Sequence, residues 1–425
     1  MGSHVNRIDT LVIGGGQAGL AISRCLSDRS VDHVVLERGR VAERWRTERW
    51  DSLRLLTPNW LTRLPGFLYD GPEPDGYMSM SQLVTFFEQY AASFAAPVEL
   101  ATTVLGVERA GADFLVRTSR GTWLARNVVI ATGYSDLPYV PPLARHLSPR
   151  IVQIVPTQYR SPDQLSLGGV LVVGASATGV QRAEEIRASG RPVTLAVGRH
   201  LRLPRTYRGR DIMWWLDAMG VFDDTSEDVF DIRTSRSQPS LQLAGRSDIR
   251  SLDVTFLQQR GVQLLGRLVG VDHERAFFDD DLIATTAASD VKLAELLLRV
   301  DAFISKTAPS SVQLPEPFEP TWTSALGATK TTIDLRAAGI DSVIWATGFT
   351  RRYPWLRVPA LDERGEIIQR GGITPVPGLF VLGMHFERRR KSAFIDGVGE
   401  DAAFLADRIV WRARKRMPWA TRLTG

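Results

Sequence analysis

Residues 8–37 read IDTLVIGGGQAGLAISRCLSDRSVDHVVLE, and this stretch decides the fold. Ile8–Ile13 is a short run rich in β-branched residues, which suit a pleated strand, and it breaks into Gly14-Gly15-Gly16-Gln17-Ala18-Gly19. Apolar residues then recur at helical spacing from Leu20 to Leu26, and Val31–Glu37 reads as a second strand ending in an acid. Together these make one β-α-β unit. Gly14 makes the tight turn, Gly16 lets backbone amides approach an anion, and Gly19 lets helix and strand pack closely. The helix then presents the positive end of its dipole to a pyrophosphate. Glu37 follows Gly14 by 23 residues, where a carboxylate accepts ribose hydroxyls. Gln17, Ala18 and Arg38 complete the candidate contacts at this turn.

The pattern restarts about 160 residues later. The strand GGVLVVG meets Gly174-Ala175-Ser176-Ala177-Thr178-Gly179, followed by the helix VQRAEEIRASG and the strand Val193–Val197. Ser176 replaces the second glycine, so its hydroxyl and that of Thr178 become candidate phosphate donors. The next strand ends in Gly198-Arg199-His200 instead of an acid. A guanidinium pairs with an adenosine 2′-phosphate that a carboxylate would repel. The acid-terminated turn therefore suits FAD. The arginine-bearing turn suits NADPH, with Gly174, Ser176, Ala177, Thr178, Gly179, Arg199 and His200 as candidate contacts.

A length of 425 residues suggests two or three domains. We expect an α/β fold of two Rossmann-like dinucleotide-binding domains, the NADP domain inserted in the FAD domain. DSVIWATGF (341–349) repeats RNVVIATGY (126–134), which reads as a return to the first domain. The expected limits are 8–160 for the first part of the FAD domain, 166–330 for the NADP domain and 331–415 for the return. Ser81–Ala96 has helical periodicity with Ser79 or Ser81 as cap, and 98–133 reads as a small antiparallel sheet leading into a core strand.

Composition removes several classes. The single cysteine, Cys25, excludes a dithiol reductase. No run approaches the ~18 apolar residues of a membrane helix, and the N-terminus has no secretory pattern, so a cytoplasmic protein is expected. The charge of +5 comes almost wholly from arginine and lacks a basic-aromatic module, so nucleic acid is not an expected partner. The six histidines show no metal-ligand spacing. A homodimer is compatible with the sequence.

With these turns the chain resembles the class B flavin monooxygenases, the two-dinucleotide-domain group of flavin-containing monooxygenases, Baeyer–Villiger monooxygenases and N-hydroxylases. The resemblance extends from Ile8 to Val410. It rests further on Glu43-Arg44-Trp45-Arg46, residues 51–58 (DSLRLLTP), Ala131-Thr132-Gly133, Gln158-Tyr159-Arg160, Ala346-Thr347-Gly348-Phe349 and residues 397–402 (GVGEDA). It implies that Trp45, Arg46 and Thr57 lie along the flavin and that the Val104 backbone meets the adenine. It also implies that the turns 131–133 and 346–348 line the passage between cofactors, with Gly383 and the 397–402 helix start against the isoalloxazine. The implied activity is NADPH oxidation with insertion of one oxygen from O2 into a small organic substrate through a flavin C4a-(hydro)peroxide. No side chain is singled out as catalytic acid or base.

The chain departs from the family pattern at several points. Val155 stands where the HxxxY fingerprint has histidine, Leu56 stands where many relatives carry a polar side chain, and the Baeyer–Villiger variant of the fingerprint is absent. These departures keep open a reductase or oxidase that inserts no oxygen, and a flavin-bound sensor is a further alternative. Trp214-Trp215 read as helix packing, Arg388-Arg389-Arg390-Lys391 as a solvated charge run, His385 as a structural histidine or an acid–base group, and the basic tail from Arg408 as packing or a frayed end.

Overall fold

The computed structural model describes residues 5–229, 231–307, 314–317 and 330–416. Its first segment supplies β1 (Val5–Ile13), α1 (Gln17–Ser27), β2 (His33–Leu36), α2 (Met80–Ser93), β3 (Val98–Glu99), β4 (Val104–Ala110), β5 (Asp113–Thr118) and β6 (Gly121–Ile130). These strands join one sheet in the order β3-β2-β1-β6-β5-β4. The sheet is parallel from β3 to β6 and antiparallel beyond. The parallel strands are covered on both faces, which is why Leu11-Val12-Ile13, Val34-Val35-Leu36 and Val128-Val129-Ile130 are continuous apolar runs rather than alternating ones. Ser79 caps α2 with Gln82 in a reciprocal capping box.

The second segment supplies β7 (Val152–Ile154), β8 (Gly169–Val173), α3 (Ala177–Ala188), β9 (Val193–Ala196), β10 (Gln263–Leu265), α4 (Leu282–Thr307) and β11 (Ile340–Trp345). Its sheet is wholly parallel, in the order β7-β11-β8-β9-β10. The chain then rejoins the first sheet with β12 (Leu379–Val381) beside the end of β6 and closes with α5 (Val398–Arg416) packed on α1. Residues 417–425 of the basic tail lie outside the described residues.

Strand membership moves two expected limits. Val152–Ile154 falls within the expected 8–160 segment, and Ile340–Trp345 within the expected return from 331, yet both pair in the second sheet. The repeated ATG stretch marks the equivalent position of the second unit, not a return to the first. In each sheet the strand beside the glycine turn runs into an Ala-Thr-Gly, so the two stretches look alike because each packs against its own turn. The crossing points are short: Leu137–Pro138 pairs antiparallel with Phe349–Thr350, directly after the two ATG turns.

Candidate functional site

The first glycine turn is built by contacts only glycine permits. Gly14 has φ +111°, and a Cβ there would stand 2.6 Å from the Ala131 carbonyl oxygen. A Cβ on Gly19 would overlap the Gly14 carbonyl oxygen. Gly16 differs: a Cβ there meets nothing within 4 Å, and as N-cap of α1 it makes no side-chain cap bond. First-turn amides of a helix have no intrahelical acceptor, so this end is a cradle for an anion. Glu37 is buried at the end of β2, where Oε2 accepts the Gly15 N–H at 2.6 Å and Oε1 the Gly39 N–H at 2.9 Å. The carboxylate thus braces the turn as well as ending the strand, and each oxygen keeps a second lone pair for a ribose hydroxyl.

Tertiary folding gathers several expected residues here. The Trp45 indole N–H donates to Gln17 Oε1 at 3.2 Å, and Gln17 Nε2 donates to the Ala393 carbonyl at 3.2 Å. Gly383 has φ +86°, and a Cβ there would stand 2.8 Å from the Ala18 Cβ. Arg44 Nη1 donates to the Thr132 carbonyl at 3.3 Å, while Gly133 turns with φ +79°. Thr57 is half-buried, and Val104 opens β4 opposite Thr118. Two guanidiniums are engaged elsewhere: Arg38 with Glu48 at 3.2 Å, and Arg46 with Glu88 and the Val41 carbonyl.

The second turn repeats the first. Gly174 has φ +107° and presses on the Ala346 carbonyl, and a Cβ on Gly179 would overlap the Gly174 carbonyl oxygen. Ser176 is the N-cap of α3 and makes no side-chain cap bond, and Ala177 and Thr178 follow in the first turn of the helix. Arg199 is exposed beyond β9. His200 instead turns inward: Nδ1–H donates to the Gly198 carbonyl at 2.9 Å, and burial lowers its pKa. Thr347 Oγ1 donates to the Tyr139 carbonyl, and the Tyr139 N–H donates to the Gly348 carbonyl at 2.9 Å, tying the second ATG turn to the crossing strand.

Other sequence candidates resolve into structure. The Trp215 indole N–H donates to the Tyr207 carbonyl at 2.7 Å in a buried cluster, as packing requires. Tyr159 is fully buried and donates to Glu185 Oε2 at 2.8 Å. Arg388–Lys391 are not a solvated run, because acids of 223–224 and 396–401 meet all four cations. The His385 ring lies 5.8 Å from that of Tyr134, and its Nδ1–H donates to the Arg236 carbonyl at 3.1 Å. Burial, with Arg236, Arg390 and Arg351 nearby, holds its pKa below the usual 6.5. Cys25 is buried on α1, which pushes its thiol up to about 11 and leaves it an unreactive hydrophobe.

Sequence reasoning missed several buried ionisable groups, Arg182 and Glu387 among them. Arg182 on α3 is 1% exposed and lies 4.4 Å from the Trp50 ring and 5.2 Å from that of Tyr159. Burial lowers its pKa to about 10. Glu387 is fully buried behind the Gly383 turn, where Oε2 accepts the Met384 N–H at 2.9 Å and Oε1 has no hydrogen-bond partner among the described residues. Gly372 makes room for it, since a Cβ there would stand 2.5 Å from Oε1. Burial, with Asp401 adding to it, raises the Glu387 pKa well above 4.5. Glu387 sat unnoticed in sequence because it precedes the arginine run and has no local signal.

These groups set the pH dependence of stability with opposite signs. His33, His200 and His385 are buried enough to resist protonation, whereas the unfolded chain protonates them near 6.5, so stability falls as pH drops below that value. Folded Glu387 holds a proton that the unfolded chain releases above 4.5, so its contribution declines as pH rises from there toward the folded pKa. Glu387→Gln is expected to flatten that upper limb in melting curves taken from pH 5 to 9. A variant curve parallel to the parent's would count against the assignment.

Residues 11–214 match the pyridine nucleotide-disulphide oxidoreductase family. The chain is 31% identical over 406 residues to an uncharacterised CzcO-like oxidoreductase of Geobacillus kaustophilus, covering 95% of this chain and 98% of that one. It is 32% identical over 179 residues to the probable indole-3-pyruvate monooxygenase YUCCA1 of Arabidopsis thaliana, covering 40% and 42%. A flavin-containing monooxygenase from Stenotrophomonas maltophilia superposes with a TM-score of 0.63 at 18% identity, over 96% of this chain and all of that one. The fold and its two glycine turns define an oxidoreductase of mixed α/β architecture. The chain belongs to the CzcO-like oxidoreductases. Among the described residues no group of three or more metal-ligating side chains occurs, and no helix is long and apolar enough to cross a membrane.

Proposed function

We propose that this protein is an FAD-dependent, NADPH-oxidising monooxygenase acting on a small organic substrate, with two Rossmann-like domains, the NADP domain inserted in the FAD domain. One observation carries the reading: two glycine turns of the same build, each locked against an Ala-Thr-Gly turn, one strand ending in Glu37 and the other in Arg199. The residues present fit both cofactors, because Gly16 leaves an open cradle and Ser176 an uncapped helix end. FAD would be held by the Gly14–Gly19 turn, Glu37, Trp45, Thr57, the Val104 backbone, Ala131–Gly133 and Gly383, with Arg38 and Arg46 at its margin. NADPH would be held by Gly174–Gly179, Arg199 and Ala346–Gly348, with His200 supporting the strand end. Bound flavin supplies the redox chemistry, taking a hydride and passing electrons to O2.

The chain itself contributes binding, orientation and exclusion of water. The Gly383 turn, braced by Glu387, fixes the backbone that would face the flavin ring. The crossing strands after the two ATG turns hold the two sheets in register. His385 and Tyr134 form a ring pair beside these turns, with His385 held neutral and able to accept a hydrogen bond at Nε2. A second reading, oxidase or reductase without oxygen insertion, is favoured by one observation: Leu56 packs into an apolar cluster with Trp60 and Trp214 and offers no polar side chain.

Anaerobic NADPH should bleach the flavin band of the purified protein. On readmission of oxygen with a panel of small substrates, a monooxygenase consumes NADPH with less than stoichiometric hydrogen peroxide and oxygenates at least one compound. Full recovery of hydrogen peroxide across the panel favours the second reading. Arg199→Ala should raise the NADPH KM about 10- to 100-fold, the worth of one charge-assisted phosphate contact, and leave the NADH KM within about twofold. Equal losses with both coenzymes would remove Arg199 from the 2′-phosphate.

A further inference from the structure

Three arginines lie near one another: Arg44, which bonds the Thr132 carbonyl of the first ATG turn, Arg49, and Arg182 on the helix after the second glycine turn. Arg44 is matched by acids, pairing with Glu48 at 2.8 Å and Asp136 at 3.3 Å. Arg49 and Arg182 are not: among the described residues no carboxylate is ion-paired with either. Glu48 is adjacent, but its two oxygens are taken by Arg38 and Arg44. Arg182 is sealed in by Trp50 and Tyr159, so it cannot reach a ligand. Arg49 is half-buried, with its guanidinium 5.1 Å over the Trp45 ring and one N–H on the Glu48 carbonyl at 3.2 Å. Trp45 is bonded to Gln17 at the first turn, and Tyr134 after the first ATG turn is within electrostatic range of Arg49. Arg49 also repels Arg182, on the helix that follows the second turn.

A half-buried guanidinium whose neighbouring acid, Glu48, is shared with two other arginines is only partly compensated, and Arg44 repels it. Chains keep such a cation where an anion will supply the balance, and the planar fork of arginine suits carboxylate and phosphate alike. We propose that Arg49 is the oxyanion anchor of this site, binding the carboxylate or phosphate of the ligand that enters between the two turns. This rests on the site proposed above. It concerns an anion contact that the two glycine turns do not provide. Burial and Arg44, which depress the Arg49 pKa, agree with an unmet demand for negative charge.

The test compares the parent with Arg49→Ala and Arg49→Lys, all as purified. Tryptophan fluorescence, to which Trp45 contributes beneath Arg49, is titrated with inorganic pyrophosphate, NADP+ and benzoate. At least one probe should bind ten-fold or more weaker to Arg49→Ala, with Arg49→Lys in between because an ammonium lacks the bidentate fork. Weakening of pyrophosphate and NADP+ identifies a dinucleotide phosphate; weakening of benzoate alone identifies a substrate carboxylate. The melting temperature of Arg49→Ala should fall by no more than about 3 °C, since no ion pair is lost and the contact over Trp45 is worth only about 1 kcal/mol. Affinities within twofold of the parent for all three probes overturn the proposal, as does a larger fall in melting temperature with unchanged binding. Flavin content and bleaching by NADPH, read on the same samples, report separately on the cofactor reading.

Discussion

Gly16→Val should give a folded but colourless protein, whereas Gly19→Ala should fail to fold stably. The two glycines are three residues apart in one turn, yet they face different surroundings. A Cβ on Gly19 would overlap the Gly14 carbonyl oxygen, a backbone atom held by the strand and unable to step aside. Relief requires α1 to lift from β1, which exposes the apolar face of Ala18, Ile22, Cys25 and Leu26. A cost above about 4 kcal/mol is expected, the range seen for severe overpacking. At Gly16 the backbone has φ −91° and ψ −167°, which valine adopts readily, and the space beside it is open. Valine there should change the stability of the ligand-free protein by less than about 1 kcal/mol. Its methyl groups instead fill the cradle in which a pyrophosphate would sit. The measurements are flavin-to-protein ratio by absorbance and melting temperature of the ligand-free forms, since a bound cofactor by itself raises apparent stability. A yellow Gly16→Val would remove the first turn from flavin binding, and a stable Gly19→Ala would contradict the packing.

Lys391→Met should cost up to about 3 kcal/mol, because it strips buried Asp396 of one cation while Asp223 and Glu400 are half-exposed. Lys391 is nearly buried, and its Nζ lies 2.9 Å from Asp223, 3.1 Å from Glu400 and 3.7 Å from the equally buried Asp396. Asp223 belongs to the excursion between β9 and β10, while Asp396 and Glu400 flank the start of α5. One ammonium thus ties the returning chain to the excursion. Removing it leaves Asp396 sharing only Arg63, with the other acids repelling. Urea midpoints check the loss. In the Lys391→Met background, Asp396→Asn should recover part of it, because the cycle isolates the pair term. Simple additivity would mean that the cluster is solvated and contributes little.

The glycine turns, the acid closing β2 and the arginine beyond β9 were legible because each requirement is local. A positive φ, a close helix–strand approach and a strand end are all written within a few residues. Trp45 and Gly383 were reached only through resemblance, since their neighbours Gln17 and Ala18 are distant in sequence. The ATG repeat was visible but misplaced. Nothing local says whether DSVIWATG pairs with Val128 or with Val170, and the register with Gly169–Val173 answers it. Arg388–Lys391 looked solvated because the acids that meet them lie partly in another segment.

The sequence by itself determined an α/β chain with two glycine turns and opposite charge signs at their strand ends, because backbone conformation and short-range packing decide those features. Only the tertiary structure decided which sheet each strand joins and which charges are matched. Burial and ion pairing depend on partners up to hundreds of residues away, as when Lys391 meets Asp223 and Arg63 meets Asp396.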